Sequence, residues 1–221
     1  MKVCTDSCLF GAWVAFKTEQ KIINPKSILD IGTGTGLLSL MLAQKSGATI
    51  QAIDIDKNSV VQAAENFNTS PWNERIQAFQ SDIKEWKAPG KYDLIISNPP
   101  FYENDVAPAD NRKSISKHSA AMRLENLSLR VKNLLHEDGN FALLLPSSRA
   151  EWFENAAQAN SFYVKEKTEV RQTPLHNYFR TMLLLQHQKT ETSKSELVIK
   201  DNNNAYTDEF IELLKDYYLY L

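Results

Sequence analysis

A short apolar run, Ser27-Ile28-Leu29-Asp30-Ile31, leads through Gly32-Thr33-Gly34-Thr35-Gly36 into Leu37-Leu38-Ser39-Leu40-Met41-Leu42-Ala43-Gln44-Lys45, a stretch with no helix breaker. Glycine at alternate positions permits a turn whose dihedrals other residues resist. The stretch therefore predicts strand, turn and helix, the opening of a nucleotide-binding βαβ unit. Such a unit cannot bury its strand by itself, so it implies a parallel sheet with helices laid against it.

The chain repeats that alternation. Thr49–Asp54 reads as a second strand, Lys57–Asn68 as a helix with Val60, Val61, Ala63, Ala64 and Phe67 on its apolar side, and Ser70-Pro71-Trp72 as its stop. Ile76–Gln80 and Tyr92–Ser97 are the third and fourth strands. Residues 102–122 are polar and aperiodic, which predicts a long loop. Leu124–Leu135 is a helix ended by His136-Glu137-Asp138-Gly139, Phe141–Leu145 a fifth strand, and Glu151–Asn160 a helix. Phe162–Val170 and Tyr178–Gln186 form an antiparallel pair at the sheet edge, followed by a short extended stretch at Leu197-Val198-Ile199 and a terminal helix, Thr207–Leu221. Ahead of all this, Thr5-Asp6-Ser7 supplies cap residues for an apolar helix starting near Cys8. The expectation is an α/β, Rossmann-like fold. It has a mostly parallel seven-stranded sheet, helices on both faces and an antiparallel edge hairpin.

Composition narrows the function classes. The 221 residues are 43% hydrophobic and 24% charged, enough for one sizeable core. A formal net charge of −2 means that any nucleic-acid contact must come from a local patch. Arg112, Lys113, Lys117 and Arg123 form one such patch, with no acid between Asn111 and Arg123. Its bland alternative is an ordinary solvated surface. Cys4 and Cys8 are expected as reduced thiols in a cytoplasmic protein, and the scattered His118, His136, His176 and His187 complete no metal-ligand pattern. No apolar run approaches the roughly 18 residues of a membrane span, and no signal-peptide core opens the chain. Nothing points to an obligate protein partner, and a monomer is the expectation.

Two features carry chemistry. A dinucleotide fingerprint requires G-x-G-x-x-G, whereas this chain has G-x-G-x-G with Leu37 next. That spacing favours a cofactor without a pyrophosphate, and S-adenosylmethionine (SAM) fits. Its methionine carboxylate would lie against the amides of Gly32, Thr33, Gly34 and Gly36, and its ammonium would face Asp30. Its ribose would meet Asp54 and Ile55, and its adenine Asp82 and Ile83. Taken singly, Asp54 and Asp82 are equally solvated carboxylates at strand ends; together on consecutive strands they read as a site. The second feature is Ser97-Asn98-Pro99-Pro100-Phe101. The prolines stiffen the turn and remove its donors, leaving an acceptor-rich site. An exocyclic amine could place its two hydrogens on Asn98 Oδ1 and the Pro99 carbonyl while Phe101 stacks on its ring. Asn-Pro-Pro alone is equally a strand-to-loop stop; the glycine turn upstream favours the site.

Asp30-Ile31-Gly32-Thr33-Gly34-Thr35-Gly36 with Ser97-Asn98-Pro99-Pro100-Phe101 resembles the class I SAM-dependent methyltransferases that modify exocyclic amines or amides. Lys2-Val3, Thr5-Asp6, Gly11-Ala12-Trp13, Glu65-Asn66, Ser70-Pro71-Trp72 and Tyr218-Leu219-Tyr220 narrow the resemblance to the bacterial tRNA1(Val) adenine-N6 methyltransferase family, over nearly the whole chain. The resemblance implies one SAM-dependent methyltransferase domain over 1–221, with an N-terminal helical entry segment (1–24) and a Rossmann-like core carrying a C-terminal helix (25–221). It implies tRNA as substrate, adenine 37 as target, and Asn98, Pro99, Pro100 and Phe101 as the catalytic turn, without metal. Ribosomal RNA guanine-N2 and protein glutamine methyltransferases share the Asn-Pro-Pro-aromatic turn, and a noncatalytic SAM- or RNA-binding relative would keep the fold. The family has glycines where this chain has Cys4 and Ser7, and a further N-terminal segment with a Lys-Gln-Phe motif ahead of Lys2-Val3.

Overall fold

The computed structural model describes residues 4–99 and 126–221. Helix α1 (Thr5–Glu19) precedes β1 (Ser27–Ile31), α2 (Leu37–Lys45), β2 (Thr49–Asp54), α3 (Lys57–Asn68), β3 (Ile76–Gln80) and β4 (Tyr92–Ser97). Then come α4 (126–134), β5 (Leu135–Pro146), α5 (Ser147–Ala159), β6 (Tyr163–Arg171), β7 (Arg180–Gln186), β8 (Ser193–Val198) and α6 (Asp208–Leu214). Among the described residues eight strands form one sheet in the order β3-β2-β1-β4-β5-β7-β6-β8. Pairing is parallel from β3 through β5, antiparallel where β7 meets β5 and β6, and parallel again between β6 and β8.

Two expectations about the sheet are corrected. It has eight strands rather than seven, and the β6–β7 pair, although antiparallel, is not its edge. Strand β7 is buried at every position from Thr181 to Leu185. Such a continuous apolar run belongs in the interior of a sheet. Strand β8 forms the edge instead, and its Ser193-Lys194-Ser195-Glu196 is exposed. A polar edge strand resists pairing with other chains, and its polarity is what conceals it from a hydropathy reading. Strand β5 also starts at Leu135, so His136–Gly139, expected to follow a helix, lies within it. A shift in register between Tyr92 and Leu94 absorbs the irregular pairing there.

Alternate residues of the central strands feed two cores, as strand geometry requires. Ile28, Leu94, Ile96, Ala142 and Leu144 face α1, α2, α3 and α6, where Phe10, Val14, Leu42, Phe67 and Phe210 are buried. Leu29, Ile95, Phe141 and Leu143 face α4 and α5, which contribute Val131 and Phe153. Helix α1 is buried almost throughout and lies close on α2: a Cβ at Gly11 would stand 2.6 Å from Met41 Sδ. Trp13 is buried in this core and Trp72 packs against it. The terminal helix is shorter than expected. It stops at Leu214, after which Tyr217 Oη donates to the Met41 carbonyl at 3.3 Å.

Candidate active site

The strand order reverses between β1 and β4: β2 and β3 follow on one side, β5 on the other. Connections leave this point in opposite directions and open a crevice beyond the carboxyl ends of the two strands. Ile31 pairs with Ser97 in register, and Ser97 Oγ donates to the Ile31 carbonyl at 2.9 Å. The next residues on the two strands are Gly32 and Asn98. The glycine turn and the Asn-Pro turn therefore emerge side by side. A cleft of about 370 Å³ lined by Ser27, Thr49, Arg75 and Tyr92 lies at the amino ends of the same strands, the end that parallel sheets do not use for ligands.

Gly32, Gly34 and Gly36 all have positive φ, 73°, 57° and 85°, the region that side-chain-bearing residues avoid. Their surroundings differ. Among the described residues nothing lies within 4 Å of a Cβ built on Gly32, whereas one on Gly36 would stand 2.3 Å from the Phe67 ring. Gly36 lets α3 pack under the turn, and Gly32 leaves an open cradle above it. The turn's amides are not available as expected. Gly32 and Thr33 both donate to the Ile53 carbonyl (2.8 and 3.1 Å), Gly36 donates to the Thr33 carbonyl (2.9 Å), and Gly34 donates to Asp54 Oδ2 (2.9 Å). All four amides expected to meet a methionine carboxylate thus have partners within the protein. A tight turn satisfies its own backbone first, and what it offers is shape.

Asp30 is completely buried at the base of the turn. Its Oδ2 accepts from Thr33 Oγ1 at 2.7 Å and Ser39 Oγ at 2.8 Å, while Oδ1 is buried without a partner among the described residues. Burial pushes the carboxyl up to about 6 against the pull of these hydrogen bonds, and the nearby Asp54 charge adds to the rise. A carboxylate with one orphan oxygen is a site that calls for a cation. Ser39 was not among the residues singled out from sequence. The available signal was a polar residue alone in the apolar run Leu37–Ala43.

Asp54, half-buried at the end of β2, holds the turn through Gly34 and accepts from the Asp56 amide at 2.9 Å through Oδ1. Each of its oxygens keeps a further lone pair. Ile55 beside it is 69% exposed, an apolar surface. Asp82 is half-buried past β3, where its Oδ1 accepts from the Lys84 amide at 2.9 Å, and Ile83 packs partly against the core. The predicted acids therefore stand at the carboxyl ends of β1 and β2 and just beyond β3.

Asn98 is half-buried, and its Nδ2 donates to Ser7 Oγ at 2.8 Å. Among the described residues no donor reaches its Oδ1, which leaves that oxygen for a ligand. Pro99 follows, half-buried. Pro100, Phe101, Arg112, Lys113, Lys117 and Arg123 lie outside the described residues. From sequence Ser7 reads as a helix-cap residue and a departure from the family's glycine, and its contact with Asn98 is not visible there because the two are 91 positions apart.

The family model described as "Methyltransferase small domain" matches residues 14–131. A tRNA1(Val) (adenine(37)-N6)-methyltransferase from Tolumonas auensis is 37% identical over 99% of this chain and 90% of its own length. A protein of the same name from Christiangramia forsetii is also 37% identical, over 100% of this chain and 92% of its own. Among solved structures, a predicted O-methyltransferase from Agrobacterium tumefaciens superposes with a TM-score of 0.73 at 15% identity, covering 96% of each chain. The glycopeptide N-methyltransferase MtfA, solved in complex with S-adenosyl-L-methionine, superposes at 0.58 with 10% identity over 81% of this chain and 88% of that one. At such identities the structural likeness shows the fold alone.

Proposed function

This chain belongs to the tRNA1(Val) (adenine(37)-N6)-methyltransferase family, and from that premise we propose how its own residues bring about N6-methylation of adenine 37 in tRNA, in the cytoplasm, with SAM as methyl donor. The observation that carries the reading is the pairing of Ile31 with Ser97. It brings the glycine turn and the Asn98-Pro99 turn together on adjacent strands at the switch point of the sheet, which supports reading them as cofactor cradle and amine site.

The residues present fit SAM. Its ammonium would satisfy the orphan Oδ1 of Asp30, its ribose hydroxyls would donate to Asp54, its adenine would cover Ile55 with Asp82 accepting from the amino group, and the Gly32 cradle would admit the rest. SAM supplies an activated methyl group and its own neutral leaving group.

The protein's task is position and electrostatics. Asn98 Oδ1 and the Pro99 carbonyl hold the two hydrogens of the adenine amine, which directs the nitrogen lone pair at the methyl carbon. As the new C–N bond forms and the sulfonium bond breaks, positive charge moves to N6, and these two acceptors stabilise it until a proton is lost to solvent. Phe101 stacks on the base, and Arg112, Lys113, Lys117 and Arg123 take the RNA phosphates. An unpaired loop base costs less to extrude than one in a duplex.

The test is transfer of labelled methyl from SAM to unmodified total tRNA, with the nucleosides then identified by mass spectrometry. N6-methyladenosine is expected. Label found as N2-methylguanosine would keep the chemistry and overturn the substrate; no label beside measurable SAM binding would overturn the reaction.

A further inference from the structure

We propose that Ser7 is a positioning residue for the amine site, the middle of a polar relay from Cys4 to Asn98 that holds the Asn98 amide nitrogen and so turns Oδ1 to the crevice. The proposal rests on the role given to Asn98 above. Asn98 Nδ2 donates to Ser7 Oγ at 2.8 Å, and Ser7 Oγ lies 3.1 Å from Cys4 Sγ. Asp6, on the same helix turn, accepts from the Ser7 amide at 2.9 Å through Oδ1 and from Arg180 Nε at 2.8 Å through Oδ2.

An amide nitrogen only donates, so Ser7 Oγ accepts from Asn98 through one lone pair. The hydroxyl's own hydrogen can go to the Cys4 sulfur 3.1 Å away. Oδ1 is thereby turned away from α1 and presented to the crevice. In the reverse orientation Asn98 would present N–H hydrogens to the N–H hydrogens of the substrate amine, donor against donor. The two ends of an asparagine amide are nearly isosteric, so packing alone does not choose between them.

The helix turn that carries Ser7 is firmly placed. Side chains of Asp6 and Arg180 are 16% and 17% exposed, and Arg180 opens β7 opposite Pro146, at the same end of the sheet as the crevice. Burial raises the Asp6 carboxyl, but its hydrogen bonds and the Arg180 charge outweigh it, and the group lies below the usual range. The ion pair ties the first turn of α1 to β7. The first turn of α1 is therefore part of the active site, although nothing in it touches the methyl group.

The experiment compares wild type, Ser7→Ala and Ser7→Thr in steady-state and single-turnover methyl transfer to unmodified tRNA, with SAM affinity by calorimetry and thermal midpoints alongside. Ser7→Ala should lower kcat about tenfold, the scale of one hydrogen bond. SAM affinity, KM for tRNA and the thermal midpoint should stay near wild type. Ser7→Thr keeps the hydroxyl and should recover most of the rate. An unimpaired Ser7→Ala beside an active wild type would overturn the relay alone, as would an equal loss in Ser7→Thr, or a loss that tracks weaker SAM binding. A wild type that makes no N6-methyladenosine would overturn the functional reading, and the relay's catalytic role with it.

Discussion

Replacing Asp30 with asparagine separates the stability of this fold from its affinity for SAM. The Asp30 carboxyl titrates at about 6 in the fold against 3.8 when unburied. At about 1.4 kcal/mol per pH unit, the gap amounts to about 3 kcal/mol. Its sign is unfavourable to the folded state. Below 3.8 both states hold the proton and the group contributes nothing. Between 3.8 and about 6 the unfolded chain releases the proton while the fold retains it, so stability falls as pH rises, and above about 6 the loss is constant. The asparagine of the variant has no proton to lose. Its side-chain oxygen can still accept from Thr33 Oγ1 and Ser39 Oγ, while its amide nitrogen occupies the unpartnered position. Leaving that nitrogen unpaired costs about 1–3 kcal/mol, but at every pH alike. The stability of Asp30→Asn relative to wild type, from urea unfolding without SAM, should therefore rise by about 2 kcal/mol between about pH 4.5 and 7.5. SAM should raise the thermal midpoint of wild type and hardly that of the variant. A stability difference that stays flat with pH would refute the buried-carboxyl argument. Undiminished SAM binding by the variant would refute the ammonium assignment.

The remaining predictions follow from the same site. Because SAM's ammonium needs Asp30 ionised, wild-type affinity should fall about tenfold per pH unit below about 6; calorimetry in two buffers of different ionisation heat should show proton release on binding there, and no release would count against the contact. Asn98→Ala should cut transfer by about 10²–10³ while leaving SAM affinity within a few-fold, and near-normal turnover would remove Asn98 from the mechanism. Asp54→Ala should act in the opposite order, weakening SAM binding first by about 10–100-fold, since it loses both the ribose contact and the acceptor for the Gly34 amide; unchanged binding by calorimetry would defeat the ribose assignment. Gly36→Ala should destabilise by about 2 kcal/mol or more, from positive φ and collision with Phe67. Gly32→Ala meets no neighbour, so it should cost less stability and more SAM affinity; equal unfolding midpoints for the two would contradict the division of labour in the turn.

Much of this molecule was legible along the chain because its signals are local. The strand, glycine turn and helix at 27–45, the second βα unit through Asn68 and the acids at the ends of β1 and β2 all follow from periodicity and spacing within a few residues. So does Asn98 at the end of a buried strand. The number and order of strands at the far edge were less legible, since β8 is polar and β7 is told from an edge strand only by what packs on both its faces. The glycine turn shows the same limit. Three glycines announce a turn, but only the fold shows that Gly36 serves the packing of Phe67, that Gly32 faces open space, and that the turn's amides are spent on Ile53, Asp54 and Thr33.

The sequence by itself determined the α/β class, the family and the residues proposed for cofactor and amine, because residue type and short spacing suffice for these. Only the tertiary structure decided how those groups are poised. The orphan oxygen and raised pKa of Asp30 come from burial beneath Thr33 and Ser39. The juxtaposition of Gly32 with Asn98 comes from β1 pairing with β4 across intervening chain. The orientation of the Asn98 amide comes from a helix turn 91 residues earlier. Hydrogen bonds and desolvation act through space over a few ångströms, and in those terms the separation of two residues along the chain carries no weight.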